Sequence, residues 1–226
     1  MSNSTRLRKT RANTVINQES KVQEIQMQDV TGQVIDALCK EYGLSLKLNK
    51  RFMLHDITAI MKRYEPDEEY ANVKKTTYLK PDGGIVSLVD TNGNLYPILI
   101  GEVKRQGTND KREAEGKDKQ SQGNAVERLA KNVIGVECAM SHENFKPFIS
   151  FGEGCDFAEG STILDRVHTI ARFRPINRLD LYHPRSQGSF FFREEPWSAE
   201  EMYQLMYEVA SSGIKYYIQK YGKIFV

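Results

Sequence analysis

Two acidic residues and a lysine have the types and spacing of a cation site that could hydrolyse a phosphodiester. Asp82 lies in the segment 80–84 (Lys-Pro-Asp-Gly-Gly), and Glu102 and Lys104 follow later in the chain with one residue between them. Carboxylate oxygens suit Mg²⁺, which keeps several waters and takes phosphate oxygens into its octahedral shell. The three residues therefore predict a divalent cation held against a phosphodiester, with a water activated to cut it.

The residues between these two acids predict the hairpin that would bring them together. The segment 85–89 reads as one strand, 90–94 carries the Asn-Gly turn signal, and 95–101 reads as the returning strand. Asp82 precedes the first strand and Glu102 follows the apolar part of the second, so both are expected at the same end of the sheet. Side chains alternate along a strand, which places Glu102 and Lys104 on one face. The same pattern is also compatible with an ordinary surface hairpin that carries solvated charges.

A second motif, Gly-Asn-Ala-Val-Glu-Arg at 123–128, stands at the predicted start of a helix. Free N–H groups and a positive dipole at a helix N-terminus suit contacts with phosphates or base edges. Asparagine can pair with adenine through two hydrogen bonds, and arginine is a common donor to purine acceptors. Asn124 and Arg128 could therefore read bases, with Glu127 fixing one of their rotamers. An amphipathic helix capped by Asn124 explains the same residues without any DNA.

The remaining pattern predicts a central mixed sheet with flanking helices, in an α/β or α+β domain. Residues 1–20 are expected to form a flexible basic arm, with a single domain over 21–226. The charged segment 107–123 is expected to be a loop or arm that becomes ordered on binding. Helices are predicted over about 22–42, 56–64, 124–140 and 198–221, the last opened by a capping box, and further strands near 76–79, 145–152, 168–174 and 190–192.

The overall composition describes an ordinary globular chain. A formal net charge of +2 over 226 residues excludes a global electrostatic attraction to nucleic acid, so any DNA binding must come from local patches, such as the basic segment 6–11. No apolar run is long enough to span a bilayer, and no apolar segment follows the basic N-terminus as in a secretory signal. Three widely spaced cysteines without metal-ligand spacing indicate reduced thiols, and we expect a cytoplasmic location.

Three segments in the same order resemble the EcoRI group of type II restriction endonucleases, within the PD-(D/E)xK nuclease superfamily. They are 80–85 (Lys-Pro-Asp-Gly-Gly-Ile), 101–107 (Gly-Glu-Val-Lys-Arg-Gln-Gly) and 123–128, and the resemblance covers roughly residues 60 to 210. It implies an α/β fold with a mixed sheet of five or more strands flanked by helices. It also implies a homodimer that cuts double-stranded DNA at a palindrome with an AATT core, as in GAATTC or CAATTG, and leaves 5′ overhangs.

The resemblance assigns roles to individual residues. Asp82, Glu102 and the backbone carbonyl of Val103 would bind Mg²⁺, and Lys104 would position the attacking water and help to deprotonate it. The family positions that read the inner AATT correspond to a short run in the helix, with Glu127 tying neighbouring subunits and side chains together. That run contains Asn124, Ala125 and Arg128.

The chain departs from the family where the outer base pair would be read. Arg178 matches a family arginine associated with that base pair and favours G·C, whereas Leu181 stands where the family has a second arginine. The segment that begins with Gln120 and Ser121 also differs, since it reads Gln-Ser-Gln in place of Met-Ala-Ala. A family role would further imply a cognate methyltransferase. Two alternatives remain. A nuclease of DNA repair or junction resolution would not need the base-reading helix that begins at 123–128 (the reader helix), and a non-catalytic DNA-binding module would not need two acids beside a phosphate.

Overall fold

A mixed five-stranded sheet forms the centre of the fold. It is seen in a computed structural model that describes residues 15–70, 73–105, 116, 123–172, 176–182, 186–222 and 225, with the backbone alone at 15–20 and 123–125. The described helices are α1 (Val15–Tyr42), α2 (Leu54–Tyr64), α3 (Gly123–Ala139), α4 (Thr162–Ile170) and α5 (Ala199–Tyr221). The strands are β1 (Leu46–Asn49), β2 (Phe52–Met53), β3 (Tyr78–Leu79), β4 (Gly84–Val89), β5 (Leu95–Arg105), β6 (Phe148–Glu153) and β7 (Ser189–Arg193).

The sheet has the order β1-β4-β5-β6-β7, and β2 and β3 pair separately. Its first three strands are antiparallel and its last three are parallel, so β5 belongs to both halves. The prediction of an α/β fold with a mixed sheet of at least five strands is confirmed.

The β4–β5 hairpin forms as the Asn-Gly signal predicts, with Gly93 in the left-handed region at φ +80°. The buried carboxylate of Asp90 closes the turn, because it accepts hydrogen bonds from the backbone N–H groups of Asn92 and Asn94, each at 2.8 Å. Strand β5 runs four residues beyond the predicted end at 101. Those residues pair in parallel with β6, from Glu102 opposite Ser150 to Arg105 opposite Glu153. Strand β5 therefore extends beyond the end of β4, its partner in the hairpin.

Helices cover both faces of the sheet. Met27 of α1 lies against Gly101, while Asn132 of α3 hydrogen-bonds Glu102, the next residue along β5. Because successive side chains of a strand point to opposite faces, α1 and α3 lie on opposite sides of the sheet. Helix α1 also packs against α5. It begins at Val15, so the last residues of the predicted 1–20 arm are helical, while the basic segment 6–11 lies outside the described residues.

One strand prediction is wrong. The segment predicted as a strand at 168–174 begins inside α4, and residues 173 and 174 lie outside the described part of the chain. The Ser161 side chain caps the helix by accepting a hydrogen bond from the backbone N–H of Leu164 at 3.0 Å. Ile163 and Val167, four residues apart, bury one face of it. The cap and this helical spacing outweigh the local preference of the Thr-Ile-Ala-Arg-Phe run for strand.

The terminal helix matches its prediction. Ser198 caps α5 and Glu201 completes the capping box. The four-residue edge strand β1 was not predicted, since a stretch this short has too little alternation to stand out. None of the helices in the described ranges has the length and apolar character that a membrane span requires.

Candidate active site

Asp82 and Glu102 lie side by side at one end of the β4–β5 hairpin. The two are tied reciprocally: the backbone N–H of Asp82 donates to Glu102 Oε2 at 3.2 Å, and the backbone N–H of Val103 donates to Asp82 Oδ2 at 3.3 Å. The backbone N–H of Gly83 also donates to the carbonyl of Gly101 at 2.9 Å. The hairpin therefore brings together two acids that are twenty residues apart, in the arrangement that the turn signal predicts.

The Lys104 ammonium lies at the point where three oxygens converge. It donates to Glu102 Oε1 in a close ion pair, to Asp82 Oδ2 at 3.2 Å and to the carbonyl oxygen of Val103 at 2.9 Å. These are the three groups that the resemblance assigns to Mg²⁺. A position that already holds one cation among two carboxylates and a carbonyl fits a hard divalent cation chemically.

The donor set leaves room for waters and a phosphate. The described residues contain no cluster of three or more histidine, cysteine, aspartate or glutamate side chains that could enclose a metal. Mg²⁺ usually takes only one or two carboxylates and completes its octahedron with waters and substrate phosphates. Two carboxylates and one carbonyl therefore suit Mg²⁺ better than a metal that needs an all-protein cage.

Burial strongly affects the protonation of this cluster. Glu102 is 1% exposed. Burial raises its pKa to about 7, with a further contribution from the Asp82 carboxylate, while Lys104 opposes the rise. Burial disfavours the Lys104 ammonium, but the attraction of Glu102 and Asp82 outweighs this and raises the pKa of Lys104 above its usual value. The ammonium thus acts as the counter-ion of the acids, and a metal cation would favour the ionised carboxylate of Glu102 in the same way.

The cluster lines an open cleft of about 570 Å³. Its walls carry more positive than negative side chains, which supplies locally the attraction for phosphate that the nearly neutral chain lacks overall. The cationic side chains are Lys80, Lys104, Arg105, Arg128 and Lys131, and the acidic ones are Glu24, Asp82 and Glu102.

Asn132 is a site residue that the sequence analysis missed. Its side-chain Nδ2 donates to Glu102 Oε1 at 3.0 Å, so α3 holds the buried carboxylate from the side opposite to α1. Asn132 follows Arg128 by one helical turn, and Lys131 lies beside it on the cleft wall. The i, i+4 spacing from the predicted DNA-reading Arg128 places Asn132 on the same face of the helix, but it does not show that this face meets Glu102.

The predicted DNA-reading residues in and just before α3 divide into three groups. Glu127 and Arg128 are exposed near the start of α3, and Arg128 lines the cleft. Asn124 and Ala125 lie in the first turn of the same helix, but their side chains lie outside the described part of the structure. Gln120 and Ser121, and nearly all of the predicted 107–123 arm, also fall outside the described residues.

Arg178 does not line the cleft that holds Asp82, Glu102 and Lys104. It is exposed beside β7, where its backbone forms an isolated antiparallel bridge with Phe190. Asn177 fixes this edge, because its side chain donates to the carbonyl of Phe192 at 3.1 Å and accepts from the Phe192 N–H at 2.9 Å. Leu181, where the family has a second arginine, is 6% exposed and packs in the core. That position therefore has no role in contacting a base here.

Comparisons with known proteins agree with this geometry. Residues 9–223 match the family described as "Restriction endonuclease EcoRI". The chain is 25% identical over 231 aligned positions to the type II restriction enzyme RsrI of Cereibacter sphaeroides, covering 85% of this chain and 83% of that protein. It is 28% identical over 175 positions to the type II restriction enzyme EcoRI of Escherichia coli, covering 71% and 63% respectively. With the family match spanning nearly the whole chain, this protein belongs to the EcoRI family of restriction endonucleases, which are site-specific deoxyribonucleases.

Proposed function

We propose that this endonuclease is a Mg²⁺-dependent homodimer that cuts double-stranded DNA within a palindrome containing AATT and leaves 5′ overhangs. One observation carries the proposal. Asp82, Glu102 and the Val103 carbonyl all contact the ammonium of Lys104, and the cleft in which they lie is also lined by Arg128 of α3. The residues proposed to cut and the arginine proposed to read bases therefore line the same cleft, which supports a sequence-specific nuclease.

The chemistry of the proposed reaction follows from this arrangement. Asp82, Glu102 and the carbonyl of Val103 would hold Mg²⁺, which when bound supplies stabilisation of the phosphate charge. Lys104, released from the acids, would direct its ammonium at the attacking water and the scissile phosphate. The water would attack phosphorus in line as the bond to the 3′ oxygen breaks, and its proton would pass through solvent to that oxygen, which leaves a 5′ phosphate and a 3′ hydroxyl. Asn132 keeps Glu102 in position through its hydrogen bond at 3.0 Å.

The proposed assembly follows from the recognition site. A palindrome presents the same half-site twice, so two copies related by a two-fold axis would each read one half. The reader helix would contribute Asn124, Ala125 and Arg128, with Glu127 linking subunits, while Gln120, Ser121 and Arg178 would act near the outer base pair. A family role further implies a cytoplasmic location and a methyltransferase that protects the host DNA.

The proposal is tested by incubating the protein with a long DNA and Mg²⁺ and sequencing the fragment ends. Discrete ends staggered by four bases within one palindrome that contains AATT are expected. Nicks at random or only at branched structures would contradict the proposal.

Asn124→Ala is expected to reduce discrimination at one adenine of the inner sequence by about 1–3 kcal/mol, because it removes a bidentate contact with that base. The measurement is the ratio of kcat/KM on the cognate duplex to that on duplexes with one substituted inner base pair. Asn144→Ala is the matched control, since Asn144 is exposed just beyond the opposite end of α3. Unchanged ratios in Asn124→Ala would mean that the helix does not read bases through this side chain.

A further inference from the structure

Helix α1 lies directly over the two glycines that adjoin the catalytic acids. A Cβ atom placed on Gly83 would stand 2.9 Å from Met27 Cγ, and one placed on Gly101 would stand 3.0 Å from Met27 Sδ. These glycines follow Asp82 and precede Glu102 in the chain. Gln28 adds a hydrogen bond from Nε2 to the carbonyl oxygen of Asp82 at 3.4 Å. The helix is therefore fixed against the catalytic end of the hairpin.

Gln23 stands one helical turn before Met27, on the same buried face of α1. It is 5% exposed, and its side chain lines the cleft that also holds Asp82, Glu102 and Lys104. Gln23 is therefore a polar residue at the cleft end of the buried face of α1. The following positions of the face, Met27 and Val30, are apolar.

The amide nitrogen of Gln23 is shielded from solvent, and no residue that the structure describes accepts a hydrogen bond from it. The neighbouring glutamines differ in this respect: Gln26 Nε2 donates to the carbonyl of Trp197 at 3.2 Å, and Gln28 donates to that of Asp82. A buried donor without a partner destabilises the free protein, and such a group calls for an explanation. An acceptor oxygen that enters the cleft would provide one, since the terminal amide torsion is broad and lets the N–H turn toward it.

We propose that Gln23 donates a hydrogen bond from its amide to a non-bridging phosphate oxygen of the DNA strand held in the cleft. This inference rests on the proposed function, because DNA is the ligand. The cationic walls of the cleft select an anionic ligand, and the backbone of DNA presents phosphate oxygens as acceptors. A neutral amide adds a directed contact without changing the charge balance around Asp82 and Glu102. Through Gln23, α1 becomes a third element that contacts the DNA, beside the β4–β5 hairpin and α3.

Two substitutions separate this contact from a structural role. Gln23→Met keeps the size of the side chain but removes the donor, and Gln23→Glu keeps acceptor oxygens and places a negative charge beside the phosphate. Gln33→Met is the matched control, because Gln33 is exposed on the same helix and lies outside the residues that line the cleft. Each full-length variant is compared with the wild type for duplex binding in a chelator, for single-turnover cleavage in Mg²⁺, and for thermal unfolding without DNA.

Gln23→Met is expected to bind an AATT-containing duplex roughly 10- to 100-fold more weakly than the wild type, the effect of losing a hydrogen bond to a charged group. Its unfolding temperature is expected to stay equal or rise, because the variant no longer buries an unpartnered donor. Gln23→Glu is expected to bind more weakly still, and Gln33→Met should match the wild type in every measurement. A loss of DNA binding in a variant that is no less stable is the signature of a ligand contact.

Three results would overturn the inference. Wild-type binding by Gln23→Met would show that no contact is made, and a lower unfolding temperature accompanied by weaker binding would show a structural role. Cleavage by Gln23→Glu at the wild-type rate would show that the side chain acts through an oxygen and not as a donor. A wild-type protein that cuts at a different palindrome would contradict only the proposed recognition sequence, and the variants are then compared on that palindrome. A wild-type protein that neither binds nor cuts DNA would overturn both proposals.

Discussion

Glu102→Gln is expected to lower the single-turnover rate of DNA cleavage by about 10³-fold or more, since a metal ligand that stabilises transition-state charge contributes several kcal/mol. The substitution keeps the shape of the side chain, and its amide oxygen can still accept the hydrogen bond from the Asp82 N–H. What it removes is the negative charge on a group that is 1% exposed. The fold should be retained because Asp82 still pairs with Lys104. Thermal unfolding of the variant is measured beside the wild type, since the amide nitrogen cannot accept the hydrogen bonds that Oε1 takes from Lys104 and Asn132.

DNA binding by Glu102→Gln in a chelator is expected to equal or exceed that of the wild type. One of the two acids that repel the phosphate is gone, while the cationic side chains of the cleft remain. Binding is measured on the cognate duplex without divalent cations, and cleavage is measured with enzyme in excess in Mg²⁺. Glu208→Gln on the exposed side of α5 provides the matched control. Cleavage by Glu102→Gln at the wild-type rate would show that Glu102 does not bind the catalytic cation.

The parts of the site that follow from local signals were predictable from the sequence. The Asn-Gly turn sets the register of the hairpin, and the register alone determines that Asp82 and Glu102 meet. The period-2 rule then places Lys104 on the face of Glu102, where the structure has it in contact with both acids. Each of these steps depends on residues close together in the chain.

The contributions of more distant elements were not predictable in this way. Asn132 reaches Glu102 only because α3 packs across the sheet, and Gln23 reaches the cleft only because Met27 packs on Gly83 and Gly101. A single sequence shows that each helix has an apolar face, but it does not show which polar residue at the edge of that face will meet the acids. The same limit explains β5, whose extension to Arg105 depends on parallel pairing with β6, a strand from a distant part of the chain.

Lys104→Met is the second substitution with a large expected effect, and it should differ from Glu102→Gln in its effect on cation binding. Cleavage is expected to fall by about 10²- to 10⁴-fold, because the ammonium proposed to orient the water, and to favour its deprotonation through positive charge, is lost. Cation binding is expected to become tighter than in the wild type. The ammonium that now contacts Asp82 Oδ2, Glu102 Oε1 and the Val103 carbonyl would no longer compete for those oxygens.

The two effects of Lys104→Met are measured separately, by calorimetric titration of the DNA-free protein with Mg²⁺ and by single-turnover cleavage at saturating Mg²⁺. Lys40→Met is the control, since Lys40 is exposed about 25 Å along α1 from the cleft end of that helix. Glu102→Gln should weaken Mg²⁺ binding in the same titration. The two substitutions are therefore expected to change Mg²⁺ affinity in opposite directions, although both reduce the rate of cleavage. If Lys104→Met bound Mg²⁺ more weakly than the wild type, the ammonium could not be occupying the cation position. The lysine would then support the cation site indirectly, by holding Asp82 and Glu102 in place, and would not compete with the cation.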